Sequence, residues 1–264
     1  MNLFEDQQKT ESLIAQERVR NVERSENILL DVERDRAIEG ENTKVALEIV
    51  DRLQRAIALI PNFAESSREE RLKSFIQAFQ EIWPENDNRG AYTAYQLNAL
   101  SSKMDGVVLR LAPVTLNASL GHDLRGNSVI RLGLSRLLEA IPEQIESIQD
   151  LLASYIIHET EHLIADGDED LSGGEDEAQR FAYLSHPGEM RAHAKMFAYL
   201  FDQHFPGEEF QPEKLLSLSI FSANGACNKY YKHMAESNNA PQKTVSQRMI
   251  QLAEWYLAHF QEAV

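Results

Sequence analysis

The spacing of the apolar residues constrains the fold of this 264-residue chain more than any other feature. In most of the chain they recur every three or four positions, which is the period of one face of an α-helix. One stripe ends before Pro61, a second before Pro84, and a third follows Pro142. The three stripes comprise Val45, Ile49, Leu53, Ala56, Ile57 and Ile60; Leu72, Phe75, Ile76, Phe79 and Trp83; and Ile145, Ile148, Leu152, Tyr155 and Ile156. The sequence therefore predicts a mostly helical chain.

The stretch 107–134 departs from this period. Residues 107–120 follow a turn signal, alternate between apolar and polar side chains and are rich in Val, Leu and Thr, which is typical of one or two β-strands. Residues 121–127 carry turn residues, and residues 128–134 have the pattern of a further strand. We therefore predict an α+β fold, predominantly helical, in which a small sheet flanks the helix that follows Pro142.

Local signals predict where several elements begin and end. Ser67 with Glu70, and Thr244 with Gln247, match the capping box that starts a helix. Residues 85–90 are predicted to form a loop.

Turn residues also predict where two helices begin and end. The helix that follows Pro142 is predicted to run through His162 and to end near Asp166-Gly167. Another is predicted to start near Ser185-His186-Pro187 and to end at Pro206-Gly207. An acidic loop separates the two.

Charge divides the chain and limits its partners. Residues 1–42 are dense in charge and are predicted to form a helical N-terminal arm, with residues 43–264 forming one domain that ends in C-terminal helices. The chain has 26 basic and 42 acidic residues, a formal net charge of -16. Such a surface repels polyanions, so binding to nucleic acid or to acidic membranes is disfavoured.

The chain carries one cysteine, Cys227, so no intramolecular disulfide and no cysteine-rich metal site is expected. The first residues lack the basic and apolar regions of a secretory signal. No apolar run approaches the ~20 residues that span a bilayer. We therefore expect a soluble, cytoplasmic protein.

The segment His158-Glu159-Thr160-Glu161-His162 carries the clearest chemical signal. Residues i and i+4 of a helix lie on one face, so His158 and His162 can bind one Zn²⁺ at roughly 2.0–2.1 Å. Glu159 is rotated about 100° from His158 around the helix axis. It can therefore take a proton from a water molecule at the metal without being a ligand. We predict a zinc site with Glu159 as general base.

With this motif the chain resembles the zincin metallopeptidases. The similarity covers residues 128–205 and includes the downstream segment from His186 to Ala194, which is similar to the second-helix motif of gluzincins and more loosely to that of ImmA/IrrE-like and phage-type predicted peptidases. The resemblance implies a peptidase acting on a protein or peptide substrate, with Glu189 as the third zinc ligand. Glu189 lies 27 residues after His162. His193, His186 and Asp166 remain alternative ligands.

Zincins often supply a hydrogen-bond donor that stabilises the substrate oxyanion. Tyr183 and Tyr199 lie near the motif segments in sequence and are candidates, although a tyrosine on an apolar helix is more often part of the core. His193, four residues after Glu189, is a further candidate donor or a partner that orients Glu189.

Two other patterns point to different metals. The acidic loop places Asp166, Asp168, Asp170 and Glu177 at ligand positions of a calcium loop, but Leu171 stands where that loop needs glycine. This favours a solvated acidic loop, or one that borders the cleft and attracts basic substrates. The pair Glu159 and His162 also fits half of a di-iron motif, for which a second Glu-x-x-His is not evident.

Two functions remain open at this stage. The first is a zinc-dependent hydrolase, a metallopeptidase that uses Glu159 as general base. The second is a non-catalytic helical interaction or assembly protein, of a phage or mobile-element type, with a structural or degenerate metal site. The charged arm favours the second function, whereas Glu159 favours the first, because a structural site needs no base.

Overall fold

The computed structural model describes residues 12, 16, 19–83, 86–87, 93–97, 100, 106–113, 118–122, 126, 128–163, 177–218 and 240–263. These residues divide into two compact units, one within residues 40–163 and the other drawn from residues 1–39 and 164–262. The division into an arm and a domain at residue 42 stays a prediction. No helix among the described residues is long and apolar enough to cross a membrane.

The described residues are mostly helical, as predicted. The helices are α1 (Ile28–Arg34), α2 (Arg36–Ala58), α3 (Arg68–Ile82), α4 (Ser135–Glu139), α5 (Ile145–Glu161), α6 (Glu177–Leu184), α7 (Pro187–His204), α8 (Pro212–Ser217) and α9 (Ala240–Ala263). The strands are β1 (Asn86–Asp87), β2 (Thr93–Gln96), β3 (Val107–Ala112), β4 (Ala118–His122) and β5 (Ser128–Gly133).

The strands form one sheet in the unit of residues 40–163. Its order is β1-β2-β3-β5-β4, with β3 and β5 parallel and the other pairs antiparallel. Leu109 of β3 lies opposite Ile130 of β5, and both side chains are fully buried. Helix α5 contacts β4 and β5. The small sheet predicted from residues 107–134 is therefore confirmed, and it flanks α5.

The sequence did not predict the whole sheet. Residues 121–122 belong to β4 rather than to a turn, and β1 lies inside the predicted loop of residues 85–90. Strand β2 was not predicted. Strands of four and two residues are too short for alternation to stand out in the sequence. Strand β2 is held by pairing with the longer β3, and β1 pairs with β2.

Aromatic side chains join α3 to β2. Phe75, Phe79, Trp83 and Tyr95 are fully buried. The rings of Phe79 and Tyr95 meet edge to face with centroids 4.6 Å apart, and the centroids of Trp83 and Tyr95 are 5.4 Å apart. The apolar stripe predicted for this helix therefore packs against the sheet through these rings.

Helix α3 begins with the predicted capping box. The backbone N–H of Glu70 donates to the Ser67 hydroxyl at 3.4 Å, and the backbone N–H of Ser67 donates to a Glu70 carboxylate oxygen at 2.9 Å. The Ser67 hydroxyl also donates to that carboxylate at 2.7 Å. These bonds stabilise the charged carboxylate and lower the pKa of Glu70 from its usual 4.5.

Ser67→Ala is expected to raise the pKa of Glu70 toward 4.5, because the hydroxyl is its largest stabilising contact. The lost helix cap should also cost about 1 kcal/mol of unfolding free energy. Because the pKa of Glu70 is lower in the folded than in the unfolded protein, its charged carboxylate contributes to the free energy of unfolding above pH 4.5. This contribution is lost as the pH falls through the folded pKa. NMR titration of Glu70 in both proteins measures the shift, and an unchanged pKa would remove the Ser67 hydroxyl as its cause.

In the other unit the longest helices are α7 and α9. Five apolar contacts are predicted for the last helix: Met249, Leu252, Trp255, Tyr256 and Phe260. Four of them are buried, whereas Trp255 is only partly buried and its indole N–H donates to a Glu33 carboxylate oxygen at 2.7 Å. The predicted start at Thr244 is wrong. Helix α9 begins at Ala240, so the backbone before Thr244 is already helical and the residue cannot be the N-cap.

Candidate metal centre

Helix α5 carries the two histidines of the motif. It follows a 3-10 turn at Pro142–Gln144, and residues 151–161 are buried without interruption. The helix ends at Glu161, earlier than the predicted end near Asp166, and His162 is the C-cap. His162 keeps a right-handed helical backbone, with φ −64° and ψ −18°, so it stays about one turn beyond His158.

The side chains of His158 and His162 lie side by side. Their Nε2 atoms are 3.2 Å apart, the ring centroids are 4.8 Å apart, and the ring planes make an angle of 78°. Two nitrogens bound to one tetrahedral zinc at 2.0–2.1 Å are separated by about 3.3–3.4 Å. The observed separation of 3.2 Å lies within about 0.2 Å of that distance. It also suits a hydrogen bond between the two rings, which depends on their tautomers.

The residues between the histidines are almost completely buried. Glu159 is 9% exposed, Thr160 0% and Glu161 1%. The Thr160 hydroxyl donates to the carbonyl oxygens of Ile156 and Ile157, at 2.7 and 3.0 Å, so it is bonded within its own helix. Glu161, the acidic residue inside the motif, is thus an interior side chain and not a solvated one.

Glu189 lies in the other compact unit, in the first turn of α7. This helix starts where the sequence predicted, with His186 as N-cap and Pro187 as its first residue, and the His186 Nδ1 accepts the backbone N–H of Gly188 at 3.3 Å. A proline there needs no intrahelical hydrogen bond, which explains the start. Glu189 is 8% exposed, and its Oε2 is 3.6 Å from Nε2 of His193 one turn later.

Sequence reasoning missed a buried charge cluster on α7. Lys195 is fully buried, and its ammonium lies 3.1 Å from a carboxylate oxygen of Glu39, a residue that is 2% exposed. Arg191 bonds the other oxygen of the same carboxylate. Lys195 also lies over the ring of Tyr256, 5.4 Å from its centroid. These contacts join α7 to Glu39 and to α9 within one compact unit.

The structure places the candidate residues predicted from the sequence as follows. The rings of His158 and His162 lie side by side, and Glu159 follows His158 in the same helix. Separately, Glu189 lies next to His193 on α7. Tyr199 is a core residue of α7, 3% exposed, with its ring 6.2 Å from that of Phe260. Tyr183 is half-buried on α6. Asp166 and the acidic loop that was compared with a calcium loop lie outside the described residues, except for the backbone of Glu177 in α6.

Comparison of the chain with protein-family profiles, with curated proteins and with solved structures finds no match.

Proposed function

We propose that this chain is a zinc-dependent hydrolase that cleaves peptide bonds. His158, His162 and Glu189 are the proposed ligands and Glu159 the proposed general base. The observation that carries the proposal is the 3.2 Å separation of the two histidine Nε2 atoms on consecutive turns of α5. This separation is close to that of two nitrogen ligands on one zinc ion.

The chemistry of the donors fits zinc. The two imidazole nitrogens of His158 and His162 and a carboxylate oxygen of Glu189, the proposed ligands, are the kinds of donor that zinc prefers. Three protein ligands would leave room for a water molecule as the fourth ligand, as a hydrolytic site requires. The near-complete burial of α5 around the histidines limits competition from bulk water.

Glu159 is the residue that the proposed reaction needs beyond the ligands. When bound, the zinc ion supplies Lewis acidity and lowers the pKa of a water molecule at its open position. The Glu159 carboxylate accepts a proton from the attacking water as the oxygen adds to the peptide carbonyl carbon. It then delivers that proton to the amide nitrogen as the C–N bond breaks, so the carboxylate is regenerated. The products are a carboxylic acid and an amine.

The peptide bond is the proposed target because of the resemblance to zincins. The net charge of -16 is compatible with this choice. It disfavours polyanionic substrates, whereas a peptide need not carry a large negative charge.

The proposal is tested by incubating zinc-loaded protein with a mixture of unstructured peptides and identifying new termini by mass spectrometry. We expect cleavage that stops when a chelator removes the metal and returns when zinc is added back. Zinc-loaded protein that binds the metal tightly but cleaves no peptide would contradict the hydrolase and favour a structural metal site in an interaction protein.

A further inference from the structure

Asn42 of α2 is bonded to the helix that carries the histidines. Its side-chain Nδ2 donates to the backbone carbonyl of Thr160 at 2.7 Å, across 118 residues of sequence. Asn42 is 2% exposed and Thr160 is fully buried. Both residues belong to the compact unit of residues 40–163. The hydrogen bond therefore lies in the core of that unit, two residues before His162.

This hydrogen bond is made to the last turn of α5. The last four carbonyl groups of a helix lack an N–H one turn ahead, so the final turn frays unless another group holds it. The Thr160 carbonyl is one of these four, because α5 ends at Glu161. It accepts the N–H of Leu163 at 3.2 Å, and the Asn42 amide adds a second donor from a different helix. The Thr160 hydroxyl is directed to its own helix and supplies no lateral bond.

The orientation of the Asn42 amide follows from its partner. The Thr160 carbonyl can only accept, so the nitrogen of Asn42 must face it. The Oδ1 of Asn42 is buried and accepts no hydrogen bond from the residues that the structure describes. An apolar side chain would avoid burying that oxygen, so the bond that the nitrogen donates is the feature that an asparagine adds at this position.

We propose that Asn42 is a positioning residue for the metal centre. Its hydrogen bond holds the backbone of the last turn of α5 against α2. This keeps Nε2 of His162 at 3.2 Å from Nε2 of His158. A site with preset ligand separation binds zinc without first ordering a frayed helix end, so the bond contributes to metal affinity. The inference rests on the proposed metal site, but not on hydrolysis.

The test is zinc affinity, measured on the full chain by competition with a chromophoric chelator. Asn42→Ala removes the donor, and Asn42→Leu removes it while keeping the volume of the side chain and burying no charge. We expect both variants to bind zinc about 10–100-fold more weakly than wild type, the range for residues that orient ligands. With Co²⁺ in place of Zn²⁺, the visible absorption of both variants should shift, because the two imidazoles are no longer held in one geometry.

Arg71→Met is the matched control. Arg71 is buried in the same unit and donates to the backbone carbonyls of Leu138 and Ala140, before the other end of α5. Its loss should lower the urea midpoint of unfolding while leaving the zinc dissociation constant within about threefold of wild type.

Two results would separate the possibilities. Asn42 variants that are destabilised like Arg71→Met yet bind zinc and Co²⁺ as wild type does would overturn the positioning role and leave Asn42 a core residue. Wild-type protein that binds no zinc would instead remove the metal centre, and the proposed function with it. If Asn42→Ala does not fold, the comparison of Asn42→Leu with wild type decides alone.

Discussion

Glu159→Gln is expected to lower the rate of peptide hydrolysis by about 10²–10⁴-fold, the usual contribution of a general base. Glutamine keeps the size of the side chain but cannot hold the proton that the attacking water gives up. Because Glu159 is not one of the proposed ligands, the zinc content of the variant should equal that of wild type. The rate is measured on zinc-loaded proteins with one peptide identified as a substrate.

Glu146→Gln provides the control for this change. Glu146 lies in the first turn of the same helix and is exposed, so its substitution removes the same charge without touching the motif. We expect its hydrolytic rate to be unchanged. A Glu159→Gln protein that retains wild-type hydrolysis would exclude Glu159 as the base, and one that loses its zinc would place Glu159 among the ligands.

His162→Ala is expected to weaken zinc binding by more than about 100-fold, since the loss of a ligand should exceed the loss of a residue that only orients one. Zinc stabilises a folded protein in proportion to the logarithm of its concentration over the dissociation constant. The rise in the thermal midpoint on adding zinc should therefore be present in wild type and nearly absent in His162→Ala. Without zinc, the thermal midpoints of wild type and His162→Ala should differ much less than they do with zinc.

The control for the histidine is His204→Ala. His204 is exposed at the end of α7. Its removal tests whether the loss of a histidine outside the motif also abolishes the zinc-dependent rise in thermal midpoint. This variant should keep the full zinc-dependent rise in midpoint. If His162→Ala also keeps it, His162 is not a ligand, and the 3.2 Å separation reflects a hydrogen bond between the two rings.

Local patterns predicted those parts of the fold that local interactions determine. Phe75, Phe79 and Trp83 of the predicted apolar stripe are buried, and the capping box at Ser67 and Glu70 is confirmed. A helix face and a cap depend on residues close in sequence. The same capping pattern at Thr244 and Gln247 was wrong, since side-chain identity does not show whether the preceding backbone is already helical.

The candidate site divides along the same line. The pairing of His158 with His162 follows from an i, i+4 spacing on one helix, and the structure confirms that their rings meet. The contacts of Asn42 with Thr160 and of Lys195 with Glu39 join residues that are 118 and 156 positions apart. They arise from helix packing, and no spacing in the sequence predicts them. The role of Glu189 as a ligand stays a prediction.

Zinc stoichiometry tests the central claim most directly. Protein purified without chelators, incubated with zinc and dialysed is analysed for metal and for protein concentration, next to a His158→Ala/His162→Ala double variant. We predict about one equivalent of zinc per wild-type chain and none above background in the double variant. Wild-type protein that retains less than about a tenth of an equivalent of zinc, or a double variant that retains as much as wild type, would contradict the metal centre.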